Sequence, residues 1–240
     1  FIVYDYLAEI TMSIMARARV KDATKGYAVD FVSSVLKLNL RQIADQKVKI
    51  LSNAGGVNPE ACAEAIRELI KELKLDLKVS VVLGDDLMRE KNKFSELNTK
   101  EMYSNEDFPA EDKIASINAY LGAFPIAEAL KSGADIVITG RSVDSAVTLG
   151  ACIYSFGWNE KEYDKLAAGS LAGHIIECGT QSTGGNFTDW ELVSKDLHQI
   201  GYPIVEVSED GSFDCTKSKN STGMVSFGTV AEQMLYEIGD

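Results

Sequence analysis

The chain has 240 residues, 45% hydrophobic and 25% charged, which is the balance of a globular protein able to bury roughly 70% of its unfolded surface. Its net charge of −12 disfavours nucleic acid and anionic membranes, which need a basic face, so neither is expected as a partner. An acidic total still permits a local basic spot, and so an anionic small molecule.

In chain order, Phe1–Tyr4 reads as a strand. Leu7, Ile10, Thr11, Ile14 and Met15 recur at helical spacing and predict a helix over Tyr6–Arg19. Phe31, Val32, Val35, Leu36, Leu38 and Ile43 predict a second helix reaching Asp45, and a strand follows at Val48–Leu51. Asn58 caps the next helix with Pro59 at its first position. A strand at Val79–Leu83 runs into Gly84-Asp-Asp86. The polar stretch Lys91–Lys113 is long for a connector and reads as a lid, an insertion or a disordered loop. The strand–helix pattern resumes with the apolar run Ala119-Tyr-Leu121, a helix around Ile126–Lys131, a strand at Asp135–Ile138 and a helix over Asp144–Phe156. Past Gly157 the texture changes. Tyr163–Cys178 is helical but interrupted by Gly169 and Gly173; Pro203–Val207 and Ser212–Thr216 form a β-hairpin; Thr229–Ile238 is a last helix. Such alternation implies a mostly parallel, Rossmann-like doubly wound α/β sheet in residues 1–157, and a glycine-rich α+β extension with the hairpin in residues 158–240.

Four apolar runs end in polar, glycine-bearing turns, and in a parallel sheet such turns share the carboxyl edge where ligands bind. Asn53-Ala-Gly-Gly-Val-Asn-Pro59 offers Asn53, Gly55, Gly56 and Asn58 as a cradle for an anion; it also reads as a tight turn with a helix cap. Asp85 and Asp86 could act as a general base or hold a divalent metal, or one caps a turn while the other is solvated. Arg141, at a strand end before a helix, suits a carboxylate or phosphate, with Asp144 as its partner or as a cap. His174 and Glu177 are three apart and share a helix face, an arrangement suited to proton transfer. The following Thr183, Gly184, Gly185 and Asn186 could offer backbone donors to a developing enolate oxygen.

Cys62, Cys152, Cys178 and Cys215 are widely spaced without a CxxC pair, which reads as reduced thiols in a cytoplasmic protein. With His174 and His198 the only histidines, a His-rich metal site is excluded. The uncharged stretch Ser145–Asn159 is too short to span a bilayer, and no signal peptide is expected at a start interrupted by Asp5 and Glu9. The glycine spacing lacks both the Walker lysine and the full dinucleotide fingerprint, so no nicotinamide cofactor is expected.

Taken together, Tyr6-Leu-Ala-Glu9, Asn53-Ala-Gly-Gly56 with Asn58-Pro59, Gly84-Asp-Asp86, Gly133-Ala-Asp-Ile-Val-Ile-Thr-Gly-Arg141, Leu166-Ala-Ala-Gly-Ser-Leu-Ala-Gly-His174 through Glu177-Cys-Gly to Thr183-Gly-Gly185, Gly201-Tyr-Pro-Ile204 and Thr229–Glu237 resemble the AtuA family of acyclic terpene utilisation. The resemblance spans nearly the whole chain. It implies a setting in the catabolism of branched acids and acyclic terpenoids, as acyl-CoA-level intermediates. Members of the family carry an earlier glycine-rich segment and continue past this end, so the chain, which starts inside a strand without Met, is read as truncated at both ends. The expectation is an enzyme of hydratase or lyase type acting on a small carboxylate or acyl thioester. Arg141 and the Asn53–Asn58 turn would bind the anionic end, and His174 with Glu177, or Asp85 or Asp86, would move the proton. The alternative is a non-catalytic ligand-binding or scaffold subunit; metal requirement, oligomeric state and partner subunits are left open.

Overall fold

The computed structural model describes residues 1–97 and 99–238. It divides into two units, Phe1–Val143 and Asp144–Asp240. This division places helix Ala146–Phe156 in the second unit, whereas a boundary at Gly157 leaves it in the first.

The first unit is built on strands β1 (Ile2–Tyr4), β2 (Ile50–Ser52), β3 (Val79–Val82) and β4 (Ile136–Thr139), all parallel in the order β1-β2-β4-β3. Register aligns Ile2, Ile50, Ile136 and Val79 in one row. That row joins Ile138, Phe31, Leu36, Leu40, Ile66 and Ile70 in the main core. Helices α2 (Lys37–Asp45) and α3 (Pro59–Leu73) therefore cover this face, with a wide π-helical segment, Phe31–Leu36, leading into α2. Leu51 and Val137 point to the opposite face and are also fully buried. A sheet buried on both faces needs continuous apolar strands, which is why Ile136–Ile138 does not alternate.

Helix α1 is Glu9–Lys21, starting later than the apolar spacing suggests. Asp5 accepts from the Leu7 N–H (3.1 Å) and Asn53 from the Tyr6 N–H (2.8 Å), which holds this stretch extended before the helix can begin. The run Ala119–Leu121 is not a strand of the sheet. It makes single bridges, Asn118 to Asp86 and Leu121 to Ser142, lying beyond the strand ends. The Ala119 N–H donates to the Asp85 carbonyl (2.8 Å) and the Leu121 N–H to that of Arg141 (3.1 Å), so the run ties the turn after β3 to the turn after β4. Within Lys91–Lys113, helix α4 (Lys91–Glu96) is followed by a loop whose Phe108 stacks on Phe94; Asn98 lies outside the described residues. Helix α5 (Phe124–Lys131), opened by Pro125 in its first turn, packs along β3 and β4.

The second unit pairs helix α6 (Ala146–Phe156) with helix α7 (Tyr163–Glu177). The glycines in α7 serve that packing: a Cβ at Gly169 would meet Leu149 and Trp158, and one at Gly173 would lie 2.6 Å from the Ser145 carbonyl oxygen. Strands β5 (Pro203–Val207) and β6 (Phe213–Lys217) form the expected antiparallel hairpin, and helix α8 (Phe227–Leu235) follows, capped by Ser226. Among the described residues, no helix is long and apolar enough to cross a membrane.

Candidate functional site

The turns after β1, β2, β3 and β4 lie together on the carboxyl edge of the first unit's sheet. Most of their polar groups are satisfied internally. Asn53 is fully buried; its Nδ2 donates to Asp5 (2.6 Å). Asn58 caps α3 through Ala61 (3.4 Å), and its amide donates to the carbonyls of Ala23 and Lys25. The N–H groups of Gly56, Val57 and Asn58 donate to the carbonyls of Asn53, Gly26 and Gly55. Gly55 is required because a Cβ would drive into the Thr139 carbonyl, and Gly56 has a left-handed φ of +54°. The glycines of this turn thus allow chain to pack on chain.

Asp85 is 2% exposed. It accepts from the Arg141 N–H (2.8 Å) and from Asn118 Nδ2 (2.9 Å), and its carboxylate lies where a Cβ at Gly140 would be. Burial pushes this carboxyl up, against the pull of those two donors. Asp86 is half-exposed, caps its own turn through the Met88 N–H (2.9 Å) and pairs with Arg19 (3.2 Å). Neither carboxylate is presented as an open ligand pair.

Arg141 leads into a cleft of about 350 Å3, lined from α1 by Glu9, Met12, Ser13 and Ala16, from the insertion by Pro109 and Lys113–Ser116, and by Asn118, Tyr120 and Arg141. The Arg141 guanidinium is 3% exposed as a residue, yet reaches this cleft. Nη1 donates to the carbonyls of Leu7 and Ser142 (both 3.2 Å), and Nη2 to the Tyr120 hydroxyl (3.0 Å), with Glu9 Oε1 at 3.5 Å. The guanidinium carbon sits 4.1 Å from the centre of the Tyr120 ring, an added cation–π attraction. Tyr120 in turn donates to Glu9 Oε1 (2.8 Å). That bond, ahead of the nearby Arg141, holds the Glu9 carboxyl below its ordinary range. Burial, then the Glu9 carboxylate, pushes the phenol up, while Arg141 pulls it down.

The second unit brings His174 and Glu177 together as expected, with Nδ1 3.7 Å from Oε1. His174 Nε2 is a buried atom without a hydrogen-bond partner among the described residues. Cys178 donates to Glu177 (3.0 Å), and burial with that carboxylate pushes its thiol up to about 12, the reverse of an activated nucleophile. In the loop beyond, the N–H groups of Thr183, Gly184 and Gly185 donate to the carbonyls of Thr180, Gln181 and Thr180. The Thr183 hydroxyl donates to the Gly201 carbonyl (2.6 Å), and Asn186 is exposed. These backbone donors close the turn and are not aimed at an oxyanion. Asp144 opens this unit just before α6.

The sequence alone does not mark Glu9 or Tyr120 as site residues. Glu9 stands in the first turn of α1, and Tyr120 inside a run that reads as a strand. The signal available was Tyr120 directly before Leu121-Gly122, a polar-tipped aromatic at what reads as a strand end.

The sequence matches the family model described as "Acyclic terpene utilisation family protein AtuA" over residues 1–240. No curated protein sequence and no solved structure matches.

Proposed function

The chain belongs to the AtuA family of acyclic terpene utilisation, and on that premise we propose that it is a catabolic enzyme of hydratase or lyase type. Its substrate in this reading is a small or branched carboxylate or acyl thioester, handled in a reducing, cytosolic setting that suits four free cysteines. The observation that carries the reading is the cleft of the first unit. It is large enough for a small acyl group and sets a buried guanidinium, a phenol and a carboxylate among apolar side chains of Met12, Ala16, Pro109 and Ile114. Arg141 is anchored through Nη1 by two backbone carbonyls, so its charge is preorganised for a carbonyl or carboxylate oxygen. Asp85 is buried and committed to two donors, and Asp86 is paired with Arg19, which weakens both as proton carriers. His174 with Glu177 is the acid–base pair that the reading keeps in the second unit.

A thermal-shift screen against short and branched acyl-CoAs, dicarboxylates, nicotinamide nucleotides and divalent metals tests this, because a ligand of the folded state raises its melting point. Ser13 is exposed and lines the cleft, so Ser13→Trp fills the space at little cost to the fold. The expected result is a shift with an acyl thioester that Ser13→Trp abolishes. A shift unaffected by Ser13→Trp removes the cleft from the proposal. A second reading, a non-catalytic ligand-binding or scaffold subunit, draws on the closed hydrogen bonding of the Asn53–Asn58 turn and of Thr183–Gly185. Binding in the cleft without turnover of any bound compound selects it.

A further inference from the structure

We propose that Tyr120 and Glu9 are a catalytic acid–base pair of the cleft, with Arg141 as the residue that positions them. The inference rests on the hydratase or lyase reading above and assigns its proton transfers to this pair in place of His174 and Glu177. Three observations carry it. Both side chains line the cleft. They are joined by a 2.8 Å hydrogen bond from the phenol to the carboxylate. The phenol oxygen also accepts from Arg141 Nη2 at 3.0 Å, and the guanidinium covers the same ring. A phenol that needed only to pack would not require two charged partners on its oxygen.

The resting forms are those the chemistry needs. The phenol is held protonated by burial and by its carboxylate neighbour, and the carboxylate is held ionised by the phenol and by Arg141. With a 3-hydroxyacyl thioester, Glu9 takes the proton from the carbon beside the carbonyl. The freed electron pair forms the carbon–carbon double bond, and the bond from the next carbon to its hydroxyl breaks. The departing oxygen takes the Tyr120 proton and leaves as water. Glu9 is then a carboxylic acid and Tyr120 a phenolate whose charge Arg141 holds. The hydrogen bond between them returns the proton from Glu9 to Tyr120, so the pair resets. Hydration runs the same steps in reverse.

The test uses the intact protein with 3-hydroxy-3-methylbutanoyl-CoA in heavy water, following deuterium at the carbon beside the carbonyl and formation of the enoyl product. Tyr120→Phe keeps the ring under Arg141 and removes only the hydroxyl; Glu9→Gln keeps the shape and removes the charge. Each is expected to lower turnover at least a hundredfold while KM and the thermal shift with the thioester change less than about threefold. A phenolate titration by ultraviolet difference, wild type against Tyr120→Phe, isolates Tyr120. In Glu9→Gln that titration moves to lower pH, because the carboxylate that opposes ionisation is gone. Turnover retained in Tyr120→Phe but lost in His174→Ala assigns the proton to His174 and overturns the inference while the reading stands. An unmoved Tyr120 titration in Glu9→Gln overturns the pairing. No exchange and no product from the wild-type protein overturns the reading and the inference together.

Discussion

Two parts of one sheet edge invite comparison: the glycine turn after β2 and the cleft reached by Arg141 after β4. Both follow buried parallel strands, and both place polar groups where a parallel sheet usually holds its ligand. In the first, Asn53, Gly55, Gly56 and Asn58 spend their hydrogen bonds on the chain itself, and the glycines admit the Thr139 carbonyl and Met15. In the second, a charge anchored from behind by the Leu7 and Ser142 carbonyls is carried forward to a phenol and a carboxylate that line open space. Glycine after a strand marks a close approach, and what approaches is as readily a neighbouring strand end as a phosphate. A site is distinguished by donors and charges left facing a cavity.

Substitutions that probe this contrast fall in a clear order. Gly55→Ala brings the largest loss of stability, about 3 kcal/mol by chemical denaturation, because the colliding atoms are backbone and proline ring with no room to yield. A loss below about 1 kcal/mol would show that the turn can open, and would return it to contention as an anion cradle. Arg141→Ala follows at about 2 kcal/mol, since it strips two carbonyls of their donor beside a buried carboxylate. Should Arg141→Ala leave stability untouched, Arg141 is a purely ligand-facing group and the anchored-charge argument fails. Asp85→Asn sharpens the picture through pH. Burial raises the Asp85 carboxyl above its ordinary range, so the fold binds the proton more tightly than the unfolded chain does. Its contribution is greatest at low pH and is lost as pH rises through the folded value; Asp85→Asn flattens that part of the stability curve. A curve with unchanged slope means the carboxyl is hydrated. Smallest are Asp86→Ala, at about 0–1 kcal/mol for a half-exposed ion pair, and Tyr120→Phe, under about 1 kcal/mol in stability, both read from melting midpoints. A large destabilisation by Tyr120→Phe would recast the phenol as a structural tie between α1 and the β4 turn.

Much of the fold was legible because it is written in periodicity and punctuation. Asn58-Pro59 announces α3, the unalternating Ile136-Val-Ile138 announces a strand buried on both faces, and Ser208–Gly211 separates the two halves of the hairpin. The family was legible for a different reason, the joint occurrence of short motifs along the chain. What escaped depended on who meets whom across long stretches of sequence. The start of α1 was displaced by hydrogen bonds from Asp5 and from Asn53, 47 residues away from its partner Tyr6. Ala119–Leu121 has strand-like composition, but its partners are turns, so it bridges instead of extending the sheet. Tyr120 and Glu9 are 111 positions apart and acquire their meaning only when Arg141 joins them.

The π-helical segment Phe31–Leu36 carries a consequence of its own. A wide turn of this kind is what one surplus residue makes of an α-helix that must still finish in register. Here the surplus lets Phe31 wedge edge-on against Tyr4 and Tyr6, both at 5.5 Å, while Leu36 and Leu40 stay seated in the core. Excising the exposed Ser33 would leave every core side chain in the sequence. It would also swing everything before the excision by about 100° around the helix axis, so Phe31 would abandon the strand end whose tyrosines it steadies. The length of this stretch, more than its composition, is therefore what natural variation should be slow to alter.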